Sequence, residues 1–78
     1  MVVVRNGVNR AEIDGQETFT VEELYEKSEE LLNIGTTENL NVSINNGSVR
    51  SYATVADKSV TNGDSVEFIK AAGSKGIK

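Results

Sequence analysis

The sequence contains no cysteine, histidine, proline or tryptophan among its 78 residues. Without cysteine and histidine there can be no disulfide framework, no thiolate nucleophile, no imidazole base and no zinc site of the usual kind. The longest aliphatic run, Val2-Val3-Val4, is far too short for a membrane span or for the apolar segment of a signal peptide. We therefore expect a cytoplasmic protein.

The size and charge of the chain predict one small acidic domain. A chain of this length builds one core and buries only about 60% of its unfolded surface. Its 37% apolar and 26% charged residues are ordinary globular values, and the net charge is −4. Residues 12–38 carry nine acids and one lysine, whereas residues 39–78 carry three acids and five bases. Such a bipolar surface can steer a basic protein partner, and it argues against nucleic acid binding.

Short apolar segments separated by turn residues predict a largely β structure. β-branched or alternating apolar residues predict strands over residues 1–5, 8–13, 40–44, 48–52 and 65–69. Turn residues separate them: Asn6-Gly7, Asp14-Gly15, Asn46-Gly47 and Asn62-Gly63-Asp64. Residues 53–61 lack a clear period and predict a crossing segment with a short strand or helical turn.

The clearest local signal predicts a helix from Val21 to Leu32. Thr20 precedes Glu23 by three residues, which is the spacing of a capping box. Apolar or small residues then recur at helical spacing and predict a buried stripe: Val21, Leu24, Tyr25, Ser28, Leu31 and Leu32. Acidic residues occupy the rest of the surface, and four of them are candidate partner contacts: Glu22, Glu26, Glu29 and Glu30.

One helix and several strands in the order ββαβββ predict an α+β domain with the helix packed across a mixed four- to five-stranded sheet. This order resembles the β-grasp fold shared by ubiquitin and bacterial sulfur carriers. The segment Asn62-Gly63-Asp64-Ser65-Val66-Glu67-Phe68 resembles a turn and strand of the thiamine and molybdopterin sulfur carriers. We assign residues 1–72 to this domain and residues 73–78 to a flexible tail.

The tail resembles a more particular family. Gly73-Ser74-Lys75-Gly76 is similar to the Gly-x-Lys-Gly ending of a prokaryotic ubiquitin-like family that includes the C protein of PRTRC plasmid systems. The resemblance implies an adenylating activating enzyme or a conjugating-enzyme-like protein as partner. In ubiquitin and the sulfur carriers a terminal diglycine is activated. Here a single glycine is followed by Ile77-Lys78, so activation would require trimming after Gly76.

These observations lead to three functional hypotheses. The first is a non-catalytic ubiquitin-like protein that docks on protein partners and whose tail is recognised, trimmed or activated. The second is a phage- or plasmid-borne binding or inhibitor module that acts through the acidic helix. The third is a degenerate sulfur carrier. The tail glycines also have a plain structural interpretation, in which they only supply flexibility.

The remaining polar residues do not predict catalysis. Asp57, Asp64 and Glu67 could be imagined as paired carboxylates or a metal site, but Asp64 fits a turn position and Glu67 the outward face of a strand. The hydroxyl side chains have no candidate base nearby. The glycines lie in separate turns and form no phosphate-binding loop. We expect no cofactor, no metal, no enzymatic activity of the chain alone and a monomeric state.

The alternation of the last strand predicts a candidate contact on the sheet. If Val66 and Phe68 face the helix, Ile69 faces outward together with Val3 on a neighbouring strand. An exposed apolar pair of this kind would form a patch for partner proteins. Two alternatives remain: the first strand could be buried on both sides, or a bulge could shift its register.

Overall fold

The computed structural model describes residues 1–70. The elements of this range follow one another in the order β1 (Val2–Asn6), β2 (Asn9–Ile13), β3 (Thr18–Thr20), α1 (Val21–Leu32), β4 (Leu40–Ile44), β5 (Arg50–Ser51), α2 (Tyr52–Val55), β6 (Ser59–Thr61) and β7 (Ser65–Lys70). The α+β class and the order of the main elements are confirmed. The predicted boundary after residue 72 lies outside the described range.

The larger sheet has five strands in the order β2-β1-β7-β4-β5. β1 and β7 pair in parallel, and the other neighbouring strands pair antiparallel. A parallel pair needs a long crossover, which the chain between β2 and β4, including α1, provides. β7 therefore occupies the middle of the sheet with a partner strand on each side.

The core lies between this sheet and the helices. Val2 and Val4 of β1 are fully buried while Val3 between them is only half-buried, so β1 alternates normally and pairs with β2 without a bulge. The buried apolar side chains are Val2, Val4, Ile13, Phe19, Val21, Leu24, Leu32, Ile34, Leu40, Val42, Val55, Val60, Val66 and Phe68.

The bounds and the N-terminal capping box of α1 agree with the prediction. The Glu23 amide donates to Thr20 Oγ1 at 3.1 Å, and the Thr20 amide donates to Glu23 Oε1 at 2.9 Å. The first two amides of the helix donate to carbonyl oxygens from the segment before β6, Val21 to Lys58 and Glu22 to Ala56. The start of α1 is therefore fastened to residues 56–58 by backbone hydrogen bonds.

A left-handed residue ends α1. Asn33 has φ 56°, and the amide of Ile34 donates to the Glu29 carbonyl at 3.0 Å while that of Asn33 donates to Glu30. This pair of bonds is the Schellman arrangement, in which the residue after the left-handed position often makes an apolar contact. Ile34 is indeed buried, within the connection between α1 and β4.

The predicted stripe of α1 is wrong at one position. Val21, Leu24, Ser28 and Leu32 are buried, but Leu31 is 70% exposed. At ~100° per residue, Leu31 lies roughly 65° from the mean direction of the buried residues, at the edge of the stripe.

Besides α1, the structure contains the short helix α2 and a small second sheet formed by β3 and β6. α1 packs against β1, β2 and β3, whereas α2 packs against β4 and β5. β3 and β6 form a separate two-stranded antiparallel sheet. Residues 53–61 were predicted to hold a short strand or a helical turn, and the region contains both: β6 and most of α2. β3 was not predicted.

Both predicted Asn-Gly hairpin turns are shifted by one residue. Asn6 pairs with Asn9 inside the ladder, which leaves Gly7 (φ 64°) and Val8 as the turn. In the second hairpin the central residues are Asn45 and Asn46, whose φ angles are 53° and 60°. The returning strand predicted over residues 48–52 is shorter, because only Arg50–Ser51 pairs with β4 and Tyr52 begins α2.

Candidate functional site

The exposed side of α1 carries a row of carboxylates that form no ion pair with other groups of residues 1–70. We call Glu22, Glu26, Glu29 and Glu30 the acidic face; Glu29 is half-buried and the others are exposed. Glu22, Glu26 and Glu30 follow one another at four-residue spacing, where like charges cost about 0.2–0.5 kcal/mol per pair. Within residues 1–70 the ion pairs join the Met1 amino group to Asp14 and Arg10 to Glu12, so neither neutralises this face.

Two tyrosines border the acidic face. The rings of Tyr25 on α1 and Tyr52 on α2 lie 5.5 Å apart between centroids, at an interplanar angle of 58°. The ring of Tyr25 also meets Phe68 of β7 edge to face, 6.1 Å away. Tyr25 Oη donates to the carbonyl oxygen of Gly35. The pair therefore joins α1, α2 and the middle strand of the sheet.

The electrostatic effect of the acidic face reaches both tyrosines. Burial raises the pKa of Tyr52 above that of free tyrosine, and the carboxylates of Glu22 and Glu26 raise it further. Burial likewise raises the pKa of Tyr25, with a contribution from Glu29. Carboxylates beside aromatic ring faces are the groups that attract lysine and arginine side chains. The acidic face and the two rings form the candidate docking surface.

Two of the six residues of this surface, Tyr25 and Tyr52, were not among the partner contacts predicted from the sequence. Tyr25 was expected in the buried stripe, and Tyr52 was expected at the end of a strand. The signal that could have placed Tyr52 on a helix is weak: Ser51 adopts the extended conformation of an N-cap residue, and its hydroxyl hydrogen-bonds to Thr54 at 2.7 Å. A four-residue helix has no periodic pattern to reveal it.

The predicted apolar pair lies on the outer face of the sheet but is not contiguous. Val3 is opposite Ser65 on β7, whereas Ile69 is opposite Asn41 on β4. Ser65 and Ile69 are four residues apart, about 13 Å along the strand. Both apolar side chains are half-buried. Whether either one contacts a partner stays a prediction.

The tail residues Gly73, Ser74, Lys75 and Gly76 lie outside the described residues. The structure does place the point from which the tail continues, because β7 ends at Lys70, which is the register partner of Leu40 at the beginning of β4.

Asp57, Asp64 and Glu67 do not form a cluster that could hold a metal ion within residues 1–70. Asp64 accepts hydrogen bonds from the Thr61 amide at 2.9 Å and from Asn45 Nδ2 at 3.2 Å, and these bonds lower its pKa. Glu67 is half-buried on β7 opposite Arg5, and Asp57 is exposed. Asp64 is thus a turn residue. Its bond to Asn45 connects the β4–β5 turn to the start of β7, and a second bond, from the Ser65 amide to Asn45 Oδ1, makes the same connection.

Two further features of residues 1–70 concern ligands and membranes. No group of three or more acidic side chains there is arranged to hold a metal ion. Neither helix of this range has the length and apolar character needed to cross a bilayer.

Comparison with solved structures decides the fold. The chain superimposes on the thiamine biosynthesis protein ThiS from Geobacter metallireducens with a TM-score of 0.63 and 22% sequence identity, covering 97% of this chain and 99% of that one. This chain has the β-grasp, ubiquitin-like fold. At this identity the likeness concerns the fold alone. No protein-family model and no curated protein matches the sequence, and the resemblance to the PRTRC protein C family stays a prediction.

Proposed function

We propose that this β-grasp protein is a non-catalytic ubiquitin-like protein that docks on a protein partner and presents its C-terminal tail to that partner. The observation that carries the proposal is the position of the end of β7: Lys70 ends the middle strand of the sheet, and the segment that contains Gly73 and Gly76 follows after two intervening residues in the sequence. Lys70 at the end of β7 pairs with Leu40 of β4, so the chain continues from a fixed position relative to any protein bound to the domain.

The acidic face supports docking as the function of the folded part. Its glutamates repel one another along α1, and none of them takes part in an ion pair within residues 1–70. A basic patch on a partner would relieve this repulsion and contact the rings of Tyr25 and Tyr52. Complementary charge of this kind mainly accelerates association and sets orientation.

The partner that fits best is an adenylating activating enzyme or a conjugating-enzyme-like protein. The tail would be trimmed after Gly76, and the new carboxylate would enter the partner's active site. Glycine suits that task, because a narrow channel leaves no room for a side chain. In this arrangement the partner supplies the catalytic groups.

Intact-mass spectrometry of the protein purified from its native cells tests this proposal. We expect a species that ends at Gly76, or an adduct formed there. In a Gly76→Val variant that species should disappear, whereas a Val8→Ala variant, changed at a fully exposed residue of the first hairpin turn, should retain it. A chain that is recovered only unmodified and ending at Lys78 would count against activation.

The likeness to ThiS favours sulfur carriage as a second candidate. The trimmed carboxylate would attack the α-phosphorus of ATP, releasing pyrophosphate, and a sulfide donor would then displace AMP to leave a thiocarboxylate. The same mass measurement distinguishes the two: a thiocarboxylate indicates the carrier, and an amide-linked protein adduct indicates conjugation.

A further inference from the structure

A cavity of about 210 Å³ opens between the β4–β5 hairpin and the chain around α2. It lies on the α2 side of the sheet, and its lining includes no residue of the acidic face. Its lining consists of Val42, Ile44, Ser48, Arg50, Val55 and Lys58.

The cavity exists because the second hairpin is paired over only part of its length. β5 contributes two residues, so Val42 is opposite Arg50, but residues 47–49 make no ladder with β4. The inward side chains near the end of β4 are consequently not covered by a neighbouring strand. Val42 and Val55 are each 2% exposed and form an apolar floor with the half-buried Ile44.

The rim of the cavity is cationic. Arg50 and Lys58 are exposed, and neither makes an ion pair with any other group in residues 1–70. In a chain of net charge −4, two unpaired cations beside one apolar cavity are a local reversal of charge. The complementary ligand combines an aliphatic group with an anion.

We infer that this cavity binds the C-terminal carboxylate of a partner polypeptide whose last residue is aliphatic. A terminal residue carries its side chain and its carboxylate on the same α-carbon. Its aliphatic side chain can therefore contact the apolar floor while its carboxylate contacts the cationic rim. An internal acidic residue fits less well, since side chains of adjacent residues in an extended peptide point to opposite sides. The volume is below that of ordinary cofactor pockets, about 300–1,000 Å³. It therefore suits one residue.

The inference does not depend on the proposed function, because it uses neither the tail nor the acidic face. It adds a second contact to the domain, in which a partner's chain terminus is bound. Capture of a C-terminal carboxylate is a known mode of peptide recognition, and here cationic side chains would hold it.

Titration of the full-length chain with N-acetyl-L-leucine, followed by amide chemical shifts in NMR spectra, tests the inference. We expect saturable shifts at Ile44, Ser48, Arg50 and Lys58, with a dissociation constant on the order of millimolar for so small a probe. Two matched probes separate the contributions. N-acetyl-L-leucine amide lacks the charge and N-acetylglycine lacks the side chain, and both should bind at least about fivefold more weakly.

Substitutions in the rim provide the second arm. Arg50→Gln and Lys58→Gln should each weaken binding about fivefold, the equivalent of one exposed ion pair. Lys27→Gln, which removes the same charge from α1, should leave binding unchanged. Ser48→Leu should block the cavity without altering its charge. The dispersion of the amide spectrum shows that each variant is folded.

Three results would overturn the inference. They are equal binding of the charged and neutral leucine probes, equal binding by the Arg50 and Lys58 variants and the parent chain, and no saturable shifts at the cavity in a folded protein.

Discussion

The capping box of α1 makes a quantitative prediction about stability. Thr20→Ala removes the side-chain oxygen that accepts a hydrogen bond from the Glu23 amide. This amide belongs to the first turn of α1 and has no acceptor within the helix, so in the variant it could bond only to water. Loss of an N-cap side chain costs about 1 kcal/mol. In a domain of this size 1 kcal/mol lowers Tm by roughly 4–8 °C.

Urea and thermal denaturation followed by circular dichroism measure this effect. Thr20→Ser is the restoring variant, because it keeps the hydroxyl that accepts the bond, and it should lose well under half of the stability lost by Thr20→Ala. Thr18→Ala is the matched control: Thr18 is an exposed threonine on the same strand, without a capping role. The loss in free energy of unfolding of Thr18→Ala measures the change in strand propensity alone.

The neighbouring backbone bonds set the limit of the effect. The amides of Val21 and Glu22 donate to carbonyl oxygens of residues 58 and 56, so the helix start stays fastened when the cap is removed. We therefore expect the free energy of unfolding to fall while the urea m-value is unchanged. The reasoning is refuted if Thr20→Ala and Thr18→Ala unfold at the same urea concentration, or if Thr20→Ser is as unstable as Thr20→Ala.

The remaining predictions concern packing and ionisation. Leu32→Ala should cost about 2–5 kcal/mol, whereas Leu31→Ala should stay within about 0.5 kcal/mol; comparable urea midpoints would contradict the assigned exposure. Asp64 has a lowered pKa in the folded chain. The stability that it contributes is therefore complete above the ordinary aspartate pKa of about 3.9, and it is lost as the pH falls through the lowered pKa. Asp64→Asn should remove this part of the loss of stability in acid. Ultraviolet titration of tyrosinate should show Tyr52 ionising above pH 10, and Glu26→Gln should lower its pKa; no change would show that the carboxylate does not act on the ring.

The same tyrosine predicts a loss of stability in alkali. A raised pKa means that the folded chain retains the Tyr52 proton after the unfolded chain has released it. The stability from this group is therefore complete below pH 10 and declines as the pH rises through the folded-state pKa.

Features encoded by neighbouring residues were predictable from the sequence. The bounds of α1 follow from a cap and a periodic stripe, both of which are local. The central position of β7 could be anticipated as well, because a helix between early and late strands permits their parallel pairing.

Features that depend on distant pairing were not predictable. Asn6-Gly7 and Gly7-Val8 are both acceptable turns. The register of β1 against β2, in which Val2 pairs with Ile13, determines that Gly7 and Val8 form the turn. β3 and β6 have three residues each and pair across about forty residues of chain, which leaves no periodic signal in either.

The candidate site divides in the same way. The acidic face of α1 follows directly from the helical pattern. Its border with Tyr52 and the cavity beside Arg50 exist only because β5 is short and α2 turns back toward the sheet, and both facts come from tertiary packing.

The central claim is that a partner protein binds the C-terminal tail, residues 73–78. Its most direct test is the affinity of the native partner, recovered by copurification with the N-terminally tagged chain, for the full-length protein and for a variant lacking residues 73–78. Isothermal titration should show the deletion weakening binding at least tenfold, with the domain still folded. Unchanged affinity of the deletion variant, together with loss of binding on Glu22→Lys and Glu26→Lys substitution, would contradict the claim and favour a module that binds through α1 alone.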